Sequence, residues 1–184
     1  MSPVADLEAC VRALEHRHNI IYQWNFVRGL RARMRRKAIC QPGRFSLEPL
    51  RHINTVRQFD AAYTAPDFGF SSAEDYYYRA SALRVVDRIR IPTLIISAED
   101  DPFVPAETFR LPSITGNTNI QVRLMQHGGH CGFLTDAHSD DGYWAERTVV
   151  DFATQLLLVV LGFALIFNPE TLTKIYDMTQ EVDK

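Results

Sequence analysis

One histidine in the segment QHGGHCGF, residues 126–133, stands among residues with very little side-chain bulk. Two glycines directly precede His130, and a third stands two residues after it. Glycine lets the backbone adopt angles that other residues avoid, so this segment is typical of a loop that holds an imidazole open to a ligand. An imidazole titrates near neutral pH and can act as a general acid or base in catalysis.

Carboxylates occur in a second segment that could do chemistry. The apolar, β-branched run IPTLIISA, 91–98, predicts a strand buried on both faces of a parallel sheet, and EDDPFVP follows it. A second predicted strand, 119–125, comes before the loop of His130. Because open α/β sheets place ligands beyond the carboxyl ends of their strands, we expect a carboxylate and the imidazole to lie within hydrogen-bond reach. The carboxylate would fix the tautomer of the imidazole and stabilise its protonated form.

Helices must position these two loops. Apolar spacing and capping residues predict helices over 5–16, over 20–38, over 46–57 with Ser46 as the cap, and from Ser71, which has capping-box spacing with Glu74. The stretch 59–70 contains proline and glycine without a clean period and predicts a loop. A short helical crossover is expected between the strands, and a terminal helix over 143–167.

Four segments resemble consecutive signatures of the YheT-like branch of the α/β-hydrolase superfamily: FDAAYTAPDFGF, DYYYRASAL, IPTLIISAEDDPFVP and GGHCGFL. The resemblance extends from about Ser2 to about Phe152, and the opening SPVADLEAC resembles the family segment after the sixth core strand. It implies a serine hydrolase of carboxylic esters, lipid acyl esters included. By this resemblance Asp101 is the triad acid, because it takes the fourth place of a small-x-x-Asp pattern; Asp100 is its most easily confused neighbour, and His130 is the base.

The resemblance also implies an incomplete α/β-hydrolase fold. Residues 1–90 are expected to form a helical cap-like region and 91–152 the carboxyl-terminal part of the core with its last two strands. Residues 153–184 lie beyond the resemblance, and we expect them to form an apolar helix with a polar tail. Because the other core strands are missing, we expect exposed apolar surface and self-association.

The nucleophile of such an enzyme is missing from the chain. The family carries its serine in a G-x-S-x-G turn in the chain order serine, acid, histidine, and no such motif occurs here. Ser71 in GFSSA does not follow a strand and is better explained as a helix cap, and nothing indicates that Cys131 faces the imidazole. We therefore expect the serine to lie outside this chain. The alternative is an inactive, truncated relative that acts as a binding or regulatory module, with membrane anchoring as one form of it.

The composition of the chain limits which other functions and which cellular compartment we expect. The chain has 184 residues, a net charge of -2 and 46% hydrophobic residues, which is typical of a globular protein and gives no reason to expect nucleic-acid binding. The basic segment 28–37 predicts a solvated helix face or, less favoured, a patch for an anionic partner. Neither HRH at 16–18 nor the glycine loop with His127 and His130 makes a good metal site, so we predict no metal and no cofactor. Three scattered cysteines favour a reducing compartment, hence a cytoplasmic or membrane-associated protein that is not secreted.

The last part of the chain leaves its role open. Residues 156–167 are apolar without a break, and with interruptions the stretch reaches back to 149. A helix over 149–167 would span roughly 28 Å, close to a bilayer core of about 30 Å. Membrane contact through 149–167, burial against the sheet, and a non-native read-through tail are the three alternatives.

Overall fold

The computed structural model of the chain describes residues 1–134 and 142–167. It divides into two units, Met1–Gly132 and Phe133–Lys184. The polar tail that the sequence predicts, 168–184, lies outside the described residues. The regular elements are α1 (Leu7–Glu15), α2 (Ile20–Cys40), α3 (Val56–Phe59), α4 (Ala65–Asp67), α5 (Ala73–Ala80), β1 (Thr93–Ala98), α6 (Pro112–Thr115), β2 (Ile120–Met125) and α7 (Trp144–Phe167).

The two predicted strands form a parallel pair, with Thr93 opposite Ile120 and Ala98 opposite Met125. The short helices of the crossover lie between them in the chain, as predicted. The second half of β1 is fully buried, whereas β2 is only partly buried. A small parallel sheet combined with helices confirms the predicted class, an incomplete α/β fold.

The opening segment lies beside β1 on the edge away from β2. On β1, the amides of Thr93 and Glu99 donate to carbonyls in β2 or directly beside it. Successive residues of a strand direct their backbone groups to opposite edges, so the amide and carbonyl of Ile96 point to the edge away from β2. There the Ser2 amide donates to the Ile96 carbonyl at 2.7 Å. The segment that leads into α1 therefore occupies part of the edge where a further strand would pair.

The helical region has a core of its own, separate from the one around the strands. One cluster of buried residues joins α2, α3 and the turns between them: Val27, Met34, Leu50, Ile53, Phe59 and Tyr63. Another surrounds β1: Ala5, Cys10, Val86, Ile95, Val104, Phe109 and Ile114. Burial of the apolar side chains in these two clusters is favourable and fixes α2 and the sheet in place. The loops that connect these elements are positioned as a result.

The prediction of one helix over 46–57 is wrong. The structure has a 3₁₀ turn at Glu48–Arg51 and then α3, whose N-cap is Thr55. The Thr55 side chain accepts from the Gln58 amide while the Gln58 side chain accepts from the Thr55 amide, which is a complete capping box. Ser46 instead accepts from the Glu48 amide within a turn.

The prediction of a loop over 59–70 is also wrong, because this stretch is helical. A π-helical turn, Asp60–Thr64, joins α3 to α4, and the Asp60 carboxylate accepts from Thr64 Oγ1 at 2.6 Å and from Tyr77 Oη at 2.7 Å. Proline is tolerated in the first turn of a helix, so Pro66 does not interrupt the chain of helices. Gly69, with φ of 75°, marks its end.

The tyrosine run on α5 contributes to the core on one face only. Tyr77 is 1% exposed, whereas Tyr78 is 67% exposed. The N-cap of α5 is Ser72, which accepts from the Asp75 amide, so the predicted cap at Ser71 is off by one residue. Because Tyr77 bonds Asp60, two of the four signature segments hold each other in place.

The second unit contains α7, which begins and ends within a residue of the predicted terminal helix. Its apolar side chains are largely exposed, Leu158 at 62% and Val160 at 63% among them. Within the described residues, no helix has the length and apolarity needed to cross a membrane. Contact of 149–167 with a membrane stays a prediction.

Candidate active site

The structure brings Asp101 and His130 together. Asp101 lies just past the end of β1 and His130 lies in the loop after β2, and because the strands are parallel both loops emerge at the same edge. The Nδ1 atom of His130 is 3.0 Å from Oδ2 of Asp101. The carboxylate is completely buried, whereas 40% of the imidazole is exposed. A buried acid that contacts a half-open imidazole is an arrangement suited to proton transfer with an external group.

The acid is held by its own loop. Oδ1 of Asp101 accepts from the amide of Phe103 at 2.8 Å and from that of Val104 at 3.1 Å. An aspartate that accepts from amides two and three residues later closes a tight turn. The turn occupies one carboxylate oxygen and leaves the other, Oδ2, directed at the imidazole.

The neighbouring Asp100 contacts the same glycine loop at a different place. Its Oδ1 accepts from the Gly129 amide at 2.8 Å, and its Oδ2 lies 3.5 Å from Nδ1 of His127. The Gly129 amide is the main cause that lowers the pKa of Asp100 below its usual value, and His127 adds to it. Gly129 has φ of 52°, a left-handed conformation that side chains disfavour. Asp100 thus anchors the loop that carries His130, while Asp101 contacts the ring itself.

The other side of the imidazole meets an aromatic group. The ring of Phe103 lies edge-on to His130, with centroids 5.2 Å apart. Tyr22 and Phe26 of α2 pack edge-on against Phe103 at 4.9 and 5.7 Å. Within residues 1–134 and 142–162, Nε2 of His130 forms no hydrogen bond. With Nδ1 donating to Asp101, Nε2 keeps its lone pair and can accept a proton.

Asn19, which the sequence did not single out, joins α2 to the loop of the acid. This residue is 8% exposed, and its Nδ2 donates to the carbonyl of Pro102 at 2.7 Å and to that of Ala13 at 2.9 Å. Pro102 is the residue between Asp101 and the amides that hold it. No motif marks such a residue, because a single asparagine between two helices usually caps or turns the chain.

None of the candidate nucleophiles contacts the base among the described residues. Ser71 is exposed, and its amide donates to Asp75. Cys131 is exposed and adjoins His130 only in sequence. Burial raises the pKa of the Cys10 thiol to about 12, which keeps it protonated at neutral pH. The described part of the chain also contains no group of three side chains able to hold a metal ion.

The described strand pair has an aspartate after its first strand and a histidine after its second, which is the order in which α/β-hydrolases carry the acid and the histidine of their triad. Sequence comparison identifies relatives of that class. The chain is 34% identical over 153 residues to the Escherichia coli (strain K12) protein YheT, which is named an esterase, covering 82% of this chain and 45% of YheT. It therefore belongs to the α/β-hydrolase superfamily, and the likeness to YheT confirms the predicted branch.

Two further relatives carry names of lipid enzymes. The Saccharomyces cerevisiae protein named medium-chain fatty acid ethyl ester synthase/esterase 2 is 36% identical over 104 residues, which is 56% of this chain and 22% of that protein. Phospholipase ABHD3 of Mus musculus is 28% identical over 140 residues, 76% of this chain and 33% of that protein. The chain thus spans less than half the length of these relatives. No family model matches it. No solved structure matches it either.

Proposed function

We propose that this chain supplies the acid, Asp101, and the base, His130, of a serine hydrolase that acts on carboxylic esters, lipid acyl esters among them. The observation that carries the proposal is the 3.0 Å contact between a fully buried carboxylate and an imidazole that is 40% exposed. The names of its relatives, esterases and lipases, support the same reaction class. The serine lies outside these 184 residues, since no G-x-S-x-G occurs in them.

In this mechanism His130 takes up and releases one proton in each of two half-reactions. Its Nε2 takes the proton of the serine hydroxyl as the serine oxygen bonds to the ester carbonyl, and Asp101 stabilises the imidazolium that forms. The imidazolium then gives this proton to the departing alkoxide, the ester C–O bond breaks and an acyl-serine remains. Water attacks the acyl carbon while Nε2 takes a proton from it. Returning that proton to the serine oxygen releases the carboxylic acid and restores the enzyme.

The helices of the proposed cap, residues 1–90, supply apolar surface next to the base. Tyr22 and Phe26 of α2 pack on Phe103, which itself contacts His130. Apolar walls beside a general base favour an ester with a hydrocarbon acyl part, because its burial is favourable and water is excluded from the charged pair.

The missing serine also favours a second candidate function, in which the chain is a catalytically inactive relative that acts as a binding or regulatory module. The two candidates differ in what happens once a serine is provided. We therefore suggest a chimaera in which this chain replaces the matched 153 residues of YheT. It should hydrolyse p-nitrophenyl esters and react with a fluorophosphonate probe, while this chain alone should do neither.

Matched substitutions in the chimaera test the two roles. Asp101→Asn and His130→Ala should each lower kcat roughly 10³-fold or more, as expected for triad members. Asp100→Asn is the control, since its contacts are to the Gly129 amide and His127; it should cost far less. A folded chimaera that neither hydrolyses esters nor labels would favour the binding module. A larger loss from Asp100→Asn would mean that Asp101 is not the acid.

A further inference from the structure

The helix α2 carries a row of side chains, the α2 stripe, made of Ile20, Trp24, Arg28, Arg31 and Arg35, of which Arg31 is partly buried and the others are exposed. Steps of three and four residues place all of them on one side of the helix. Its first part is apolar and strongly exposed, Ile20 at 66% and Trp24 at 61%. Its second part is basic, and the guanidinium of Arg28 lies 5.5 Å above the Trp24 ring.

The charge of the α2 stripe is uncompensated. The helix holds six basic residues and no acidic one, in a chain whose net charge is -2. In the part of the chain that the structure describes, Arg28, Arg31 and Arg35 form no ion pair, whereas other basic residues, such as Arg44 and Arg57, do. Like charges this close repel one another, and an anionic partner would relieve that repulsion.

The α2 stripe faces away from the acid and base. Tyr22 and Phe26 point to Phe103, and at about 100° of rotation per residue the centre of the stripe is about 180° from them. A groove of about 320 Å³ lies along the stripe and is also lined by Asn54. The stripe is therefore a surface distinct from the proposed catalytic one.

The mixture of side chains indicates what covers the stripe. Guanidinium groups bind phosphate oxygens in pairs of hydrogen bonds, and Trp with Ile favours the boundary between lipid headgroups and acyl chains. Nucleic acid would use the arginines but would leave Ile20 and Ile21, 74% exposed, in water. We propose that the α2 stripe docks on an anionic membrane surface, with its arginines on lipid phosphates and Ile20 and Trp24 at the acyl boundary. This proposal does not depend on hydrolase activity.

Vesicle binding by the full chain tests the proposal. In a Trp144→Phe background, Trp24 is the remaining tryptophan and reports on the stripe. Binding should be tighter to vesicles of phosphatidylcholine with phosphatidylserine than to phosphatidylcholine alone, and salt should weaken it. On the anionic vesicles Trp24 emission should shift to shorter wavelength and be quenched by brominated acyl chains.

Matched charge variants locate the contact. Each arginine near an anionic surface is worth about five-fold in affinity, so R28Q/R31Q/R35Q should weaken binding to the phosphatidylserine vesicles about 100-fold. The control R84Q/R88Q/R90Q removes three exposed charges elsewhere and should change little. If circular dichroism shows that the triple variant does not fold, Arg31→Gln alone should still weaken binding about five-fold.

Three results would overturn the proposal. Equal binding to both kinds of vesicle, or binding unchanged in the folded arginine variants, would mean that another surface such as α7 makes the contact. Equal affinity for heparin and anionic vesicles, with Trp24 emission unaltered, would make the stripe a general anion site that does not enter lipid.

Discussion

Asn19→Ala tests whether a buried amide outside the acid–base pair holds the loop of the acid. The substitution removes two hydrogen bonds, to the Pro102 carbonyl at 2.7 Å and to the Ala13 carbonyl at 2.9 Å. Leaving a buried acceptor without its donor costs about 1–3 kcal/mol. Part of that cost falls on the Pro102 carbonyl, so the turn that holds Asp101 should open more often.

Amide hydrogen exchange of the full chain measures this opening. The amides of Phe103 and Val104 donate to Asp101, and they exchange only when the turn opens. A loss of about 1–3 kcal/mol in the stability of the turn corresponds to exchange faster by a factor of roughly 5 to 150. In the catalytic chimaera the same change should lower kcat more than it raises KM, since it displaces the acid and not the substrate.

Asn117→Ala is the matched control. Its Nδ2 also joins two carbonyls, those of Val86 and Ile89 at 3.0 and 3.1 Å, but far along the chain from Asp101. Because its Oδ1 also accepts from the Asn119 amide at 3.0 Å, Asn117→Ala should lower overall stability by at least as much, but without selective exchange at Phe103. If Asn19→Ala and Asn117→Ala sped up exchange of the Phe103 amide equally, Asn19 would have only a general structural role and would not hold the turn of Asp101.

Three further outcomes are expected from the structure. Tyr77→Phe leaves the Asp60 carboxylate without the donor at 2.7 Å, so thermal unfolding should show a loss of about 1–3 kcal/mol, whereas the same change at the exposed tyrosine that follows it should be neutral. The hydrogen bond from Arg57 lowers the pKa of Glu8 below its usual 4.5, so this pair stabilises the fold above that pH and the contribution is lost as pH falls through the lowered value. Denaturant titrations at decreasing pH should therefore show that the free energy of unfolding falls less in Arg57→Met than in the parent chain. If the free energy of unfolding fell equally with pH in both chains, the ion pair would not contribute. Deleting residues 153–184 removes exposed apolar side chains of α7, so binding of a hydrophobic dye and self-association should fall, and unchanged dye binding would place the apolar surface elsewhere.

Local residue chemistry was enough to predict the parts of the site that follow strands. The run 91–98 is apolar and β-branched, which favours a buried parallel strand in any context, and 119–125 predicts its partner. Parallel strands end at one edge, so an aspartate after the first and a histidine after the second had to emerge close together. The choice of Asp101 over Asp100 as the acid came from the family resemblance, through the small-x-x-Asp pattern.

Contacts between residues distant in sequence decided the rest. The stretch 59–70 contains the proline and glycine of a loop, yet it is helical because Asp60 bonds Tyr77 of a later helix and Tyr63 is buried in the core with α2. Asn19 is part of no recognisable sequence motif. Its role arises only because the start of α2 packs against the loop of Asp101 in the folded chain. Spacing along a chain predicts which residues share a strand or a helix face, but hydrogen bonds between separate elements form only when tertiary packing excludes water and fixes both partners.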